Sequence, residues 1–204
     1  MTNKQNHISQ LHDQFFYATF QDKKNAIDLL KTKLPQAVSN QIDFSHFEIA
    51  NPTHHEKKKY RKIHSDLVIK TRLKNSGSPA DIYILFEHKT DQKRSVLFQL
   101  LSYMTAMWEE DIKNAKSDKK TLCFRPIIPF VFYHGRSEWK IPTTFSDLYC
   151  CEEELKEHLL SFSYTLFDTT HWKLDNEERK HLNEELILHI LLFHAAFKNT
   201  RESR

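Results

Sequence analysis

Between positions 12 and 30, apolar or small side chains recur at Phe15, Phe16, Ala18, Thr19, Ala26, Ile27, Leu29 and Leu30, and the polar stretch 22–25 interrupts them. The spacing predicts one or two short amphipathic helices packed on a sheet, ending near Leu34 and Pro35, where proline cannot continue the backbone bonds. A short strand is expected within 44–50, followed by a polar, basic loop over 51–62. Residues 63–72 and 81–89 are strand-like and flank Lys74-Asn75-Ser76-Gly77-Ser78-Pro79, whose composition is that of a turn, so the two form a hairpin.

The period changes after the hairpin. Val96, Leu97, Leu100, Leu101, Met104, Met107 and Trp108 repeat every three or four positions, which predicts a long helix from Ser95. A charged connector over 113–120 leads to the apolar run 126–134, expected to be a buried strand stopped by Gly135. Strand, helix, strand in that order implies a crossover and at least one parallel pair. The stretch 175–198 is expected to be one further helix. Leu186, Ile187, Leu188, Ile190, Leu191, Leu192 and Phe193 make it apolar around most of its circumference, to be buried on the core or on a second subunit. There is no internal repeat.

Composition narrows the class. A chain of 204 residues with 39% hydrophobic and 28% charged residues suits one globular domain. The net charge of +3 and pI near 8.6 permit nucleic-acid binding without arguing for it. Two glycines leave no phosphate-cradling loop and no dinucleotide fingerprint, so no small-molecule cofactor is expected. Cys123, Cys150 and Cys151 form no CxxC, which suits a reducing, cytoplasmic setting and excludes a four-cysteine zinc site. The 13 histidines include no HExxH, so a structural zinc is not expected. The polar N-terminus resembles neither a signal peptide nor a membrane span.

The candidate chemistry lies on the hairpin. Asp66 and Glu87 are 21 positions apart, and Lys89 follows Glu87 by two. In a strand, positions two apart share a face, so Glu87 and Lys89 act together while His88 points away. With Gly77 near the hairpin centre, Asp66 lies 11 residues before it and Glu87 10 after, so both carboxylates come to the end far from the turn. Two carboxylates and a lysine can hold a divalent cation and activate water against a phosphodiester. The plainer reading of the same residues is a surface salt bridge at a hairpin end. Gln99 and Tyr103, four apart, share a helix face.

The order helix, hairpin with Asp and Glu-x-Lys, helix, strand is similar to the PD-(D/E)XK nucleases. The resemblance implies an α/β, restriction-endonuclease-like core with a central mixed sheet flanked by helices, over residues 1–145, and a C-terminal helical extension over 146–204. It implies Asp66 and Glu87 as Mg²⁺ ligands, with Mn²⁺ or Ca²⁺ as substitutes, and His88 contributing its backbone carbonyl. Lys89 would orient or deprotonate the attacking water, and Gln99 and Tyr103 match a QxxxY element beside the site. More narrowly, His12-Asp13-x-Phe15-Phe16, Leu34-Pro35, His64-Ser65-Asp66, Phe86-Glu87-His88-Lys89, Phe98-Gln99-Leu100-Leu101-x-Tyr103-Met104 and the run from Pro126 to Gly135 with Trp139 resemble the Rpn family of recombination-promoting nucleases. What that implies is a bacterial, Mg²⁺-dependent DNA endonuclease serving recombination, mobile elements or phage defence. The chain departs from the family pattern at Gln14, where a basic residue is common, and at Phe98, where an arginine is expected; both bear on DNA contacts.

Lys57, Lys58, Lys59, Arg61 and Lys62 are candidate phosphate contacts, a run that otherwise forms a solvated loop, and Tyr103 is a further candidate contact to nucleic acid. Asp13 either supplies a further acidic group or sits at a helix N-terminus as a cap. His12 either caps that helix or approaches the site, and His134 would neighbour it. A homodimer through the apolar C-terminal helix would let two sites address two strands. A catalytically silent DNA-binding or accessory protein on the same fold, and an RNA-directed nuclease, are the competing readings.

Overall fold

The computed structural model describes residues 3–50, 67–87, 95–114, 123–135 and 137–198, with side chains described for 12–50, 67–82, 95–114, 123–135 and 137–195. Two helices open the chain, α1 (Asn3–Gln21) and α2 (Lys23–Lys33). They part where the apolar pattern breaks. Asp22 adopts an extended conformation and its carboxylate accepts the amides of Lys24 and Asn25, taking up two of the unpaired donors of the second helix. After Leu34, a single turn α3 (Gln36–Ser39) leads to β1 (Glu48–Ala50).

The hairpin is present as β2 (Leu67–Arg72) and β3 (Pro79–Glu87). Pairing of Arg72 with Pro79 and of Leu67 with Ile84 puts its centre between Asn75 and Ser76, not at Gly77. Gly77 serves the turn otherwise, at φ 65°, a conformation costly for any residue with a Cβ, while its amide donates to Leu73 O. The long helix follows as α4 (Ser95–Asn114), then β4 (Ile127–Tyr133) and β5 (Thr165–Asp168). The sheet runs β1-β2-β3-β4-β5, its first two pairings antiparallel and its last two parallel. It is a mixed five-stranded sheet flanked by helices, an α/β arrangement consistent with a restriction-endonuclease-like core.

Side chains alternate between two cores, as the strand period requires. Leu67, Ile69, Ile82, Phe130, Phe132 and Phe167 pack against Phe16, Phe20, Leu29 and Leu30 of α1 and α2. Val68, Val131 and Tyr133, on the opposite face, meet Val96, Leu97, Leu100 and Tyr103 of α4, together with Trp139 and Phe145.

The tail departs from the expected single helix. It forms α5 (Asn176–His181) and α6 (Glu184–Lys198), each with its own start. Asp175 accepts the amide of Glu178, and Asn183 accepts that of Leu186. Asn183 also donates to Asn25 and Asp28 on α2, so a contact across 155 positions or more holds the break in place. Burial of α6 is likewise one-sided: Leu186, Ile190 and Phe193 are fully buried, whereas Leu188, Leu191 and Leu192 are about half exposed. No helix among the described residues is long and apolar enough to cross a membrane.

Candidate active site

The C-terminal edge of the parallel strands gathers the candidate chemistry. Glu87, the last residue of β3, pairs with Tyr133, the last of β4, which pairs in turn with Asp168 at the end of β5. Because α4 is the crossover between β3 and β4, it runs back against both, and its first turns lie over this same edge. Glu87 is three residues past Ile84, the partner of Leu67 in the last described pair of the hairpin. Asp66, His88 and Lys89 lie outside the described residues, as do Lys57, Lys58, Lys59, Arg61 and Lys62.

Tyr103 belongs to the buried stripe of α4 with Val96, Leu100 and Met107, and Gln99, four residues before Tyr103, borders that stripe. Gln99 is half-buried, while Tyr103 is 4% exposed and belongs to the cluster with Tyr133 and Trp139. That burial leaves the Tyr103 ring little surface to offer a nucleic acid, and its packing holds the helix that carries Gln99.

Around this edge the backbone is fixed by directional contacts. Tyr133 is fully buried, and its hydroxyl donates to Ser137 O at 2.9 Å. A Cβ built at Gly135 would stand 2.0 Å from that hydroxyl, so only glycine lets the chain fold back over the ring. Asp168 accepts the Trp139 amide through Oδ2 at 2.8 Å and both the amide and hydroxyl of Thr170 through Oδ1. Sequence reasoning overlooked this carboxylate, and its oxygens are taken up in closing two loops. Trp139 Nε1 donates to the Tyr164 hydroxyl, which donates to Pro142 O. Burial pushes the Tyr164 phenol up to about 12, with the Trp139 hydrogen bond acting in the opposite sense.

His134 lies on the other face of the sheet. It is fully buried, its Nδ1 donates to Phe193 O at 3.1 Å, and its ring stands 5.0 Å from that of His12. His12 and Asp13 fall in the middle of α1 rather than at a helix start, which removes the capping role for both. Burial holds the His12 imidazole below its ordinary pKa, because the charged form is poorly solvated there. Among the described residues no group of three or more His, Cys, Asp or Glu side chains is placed to hold a metal ion. The expected carboxylate pair is not such a group, since one member and the lysine lie outside them.

Comparison with known proteins places these features in context. The family described as "Putative transposase, YhgA-like" matches residues 10–201. Recombination-promoting nuclease RpnA of Escherichia coli (strain K12) is 25% identical over 171 residues, covering 83% of this chain and 55% of that protein. Inactive recombination-promoting nuclease-like protein RpnE of the same organism is 25% identical over 129 residues, 63% of this chain and 40% of its own length. The chain thus spans about half the length of the curated relatives it matches. No solved structure matches.

Proposed function

The chain belongs to the YhgA-like transposase family, and from that premise we propose that it is a metal-dependent endonuclease hydrolysing phosphodiester bonds in DNA. The observation that supports this reading is the meeting of the β3 terminus, at Glu87, and the first turns of α4, with Gln99, at one edge of the sheet. Glu87 stands six positions after Asp81, an even number, and so shares its face of the strand.

In this proposal Asp66 and Glu87 hold Mg²⁺, with Mn²⁺ or Ca²⁺ able to replace it, and His88 adds its carbonyl oxygen; all are hard oxygen donors suited to such an ion. The bound cation would stabilise charge on the phosphoryl oxygens and lower the pKa of water. Lys89 orients the attacking water or accepts its proton. Gln99, half-buried at the head of α4, hydrogen-bonds the groups around it and keeps them in place. Lys57, Lys58, Lys59, Arg61 and Lys62 would contact phosphates, each contact strengthening binding and steepening its salt dependence.

A second reading has one observation in its favour: the RpnE relative carries the word inactive in its name, at the same identity as RpnA. On that reading the chain binds DNA without cutting it. Nicking of supercoiled plasmid with Mg²⁺, Mn²⁺ or EDTA separates the two. We expect cleavage that EDTA abolishes and that Glu87→Gln or Lys89→Ala lowers by about 100-fold or more, with binding retained. Wild-type protein that binds plasmid and never cuts it establishes the silent reading; cleavage of RNA alone reassigns the substrate.

A further inference from the structure

Phe98 stands on the first turn of α4, next to Gln99, and is 56% exposed, the most open large apolar side chain among the described residues. Its neighbours Val96, Leu97 and Leu100 are buried against the sheet, so the helix already has its apolar face without it. An exposed helix position gains nothing in propensity from phenylalanine, and water favours a charged residue there.

The ring is nonetheless held. It meets Phe145 nearly edge-on, with centroids 5.3 Å apart and planes at 70°. Phe145 is 4% exposed and is wedged against Phe162 at 5.2 Å and Tyr149 at 5.8 Å. Phe98 is therefore an aromatic surface fixed from beneath and open to solvent, with part of its rotamer entropy already given up. It stands on the helix turn whose Leu97 and Leu100 share a core cluster with Tyr133, the partner of Glu87 at the end of β3.

We propose that Phe98 stacks an unpaired nucleobase of the substrate beside the scissile phosphate, so that the site prefers single-stranded or locally unwound DNA. This rests on the nuclease reading above. Inside a duplex both faces of every base are covered by neighbours, and a single protruding ring finds a partner only where a base is unstacked. A net charge of +3 supplies modest attraction to the backbone, which leaves stacking a measurable share of affinity.

The test is an anisotropy titration of the full chain with a fluorescein-labelled single-stranded oligodeoxynucleotide and with its duplex, in EDTA to hold the complex uncut. Phe98→Ala should weaken single-strand binding about ten-fold and leave duplex binding within about two-fold, while Phe98→Trp restores the single-strand affinity. An abasic position scanned along the strand should weaken wild type at one register and leave Phe98→Ala unaffected there. Equal single-strand affinity in wild type and Phe98→Ala overturns the stacking role while plasmid cleavage stands. Absence of binding to either DNA form by wild type, together with absence of cleavage, overturns the nuclease reading and the stacking role with it.

Discussion

On the face of the sheet covered by α1, α2 and α6, packing is dominated by phenylalanine rings, with buried Thr19, Asn25 and His134 alongside them. Phe132 sits at its centre, within 5.3–5.5 Å of the rings of Phe16, Phe20, Phe167 and Phe193. On the face covered by α4, polar groups are buried along with the rings. Trp139, Tyr164 and Tyr133 carry hydrogen bonds, and Arg125 lies 2.9 Å from both Asp81, at the start of β3, and Asp111, on α4. The first, at its ring cluster, is non-directional and holds the sheet to its helices by area removed from water. The second specifies angles and distances, and the proposed catalytic edge lies on that side. Directional contacts suit a place where a helix head must stay in register with a strand end.

The contrast can be broken most strongly at Phe132. Phe132→Ala should cost about 3–5 kcal/mol by urea denaturation, because four packed rings lose their common partner and cannot close the cavity. A cost below about 1 kcal/mol would mean that this core repacks freely.

The opposite face should respond by pairing rather than by volume. Asp81 is 2% exposed and Arg125 is 21% exposed at the side chain, so Arg125→Ala strands a buried carboxylate and should cost about 3 kcal/mol. The double variant Asp81→Leu with Arg125→Leu should be clearly less destabilised than the sum of its single variants, a coupling that no pair of phenylalanine truncations is expected to match. Additive costs would show that the ion pair is incidental.

The smallest effect separates the faces by pH. His12 titrates below its ordinary value when folded, so the unfolded chain binds more protons and stability should fall as pH drops below about 6.5. Tyr164, pushed up to about 12, holds its proton more tightly when folded, so its contribution should be lost as pH rises from about 10 toward 12. Urea midpoints of His12→Gln and Tyr164→Phe against pH should flatten the acid and the alkaline limb respectively. A wild-type slope retained in either variant assigns that limb to another group.

Much of the architecture was legible along the chain because the signals were local. The polar stretch from Asp22 to Asn25 left one helix or two open where α1 and α2 part, the turn composition from Lys74 to Pro79 marked the hairpin, and the three-and-four spacing from Val96 marked α4. The tail was less legible. Asn183 stops one helix and starts another while bonded to Asn25 and Asp28, partners that no window around it contains. The four residues of β5 carry no alternation long enough to announce a strand, and they become one by pairing with β4.

The candidate site divides in the same manner. Glu87 could be singled out because spacing and strand period are properties of the chain itself, and Gln99 because with Tyr103 it resembles the QxxxY element of related nucleases; the sequence alone determines which residue types stand at those positions. What only the tertiary structure decided is which groups are spent and which are open. Asp168 is consumed by Trp139 and Thr170, Tyr103 is closed into the core, and Phe98 is held by Phe145 with its outer side left to solvent. Burial and partnership arise between segments distant in sequence, so they appear when the sheet brings those segments together.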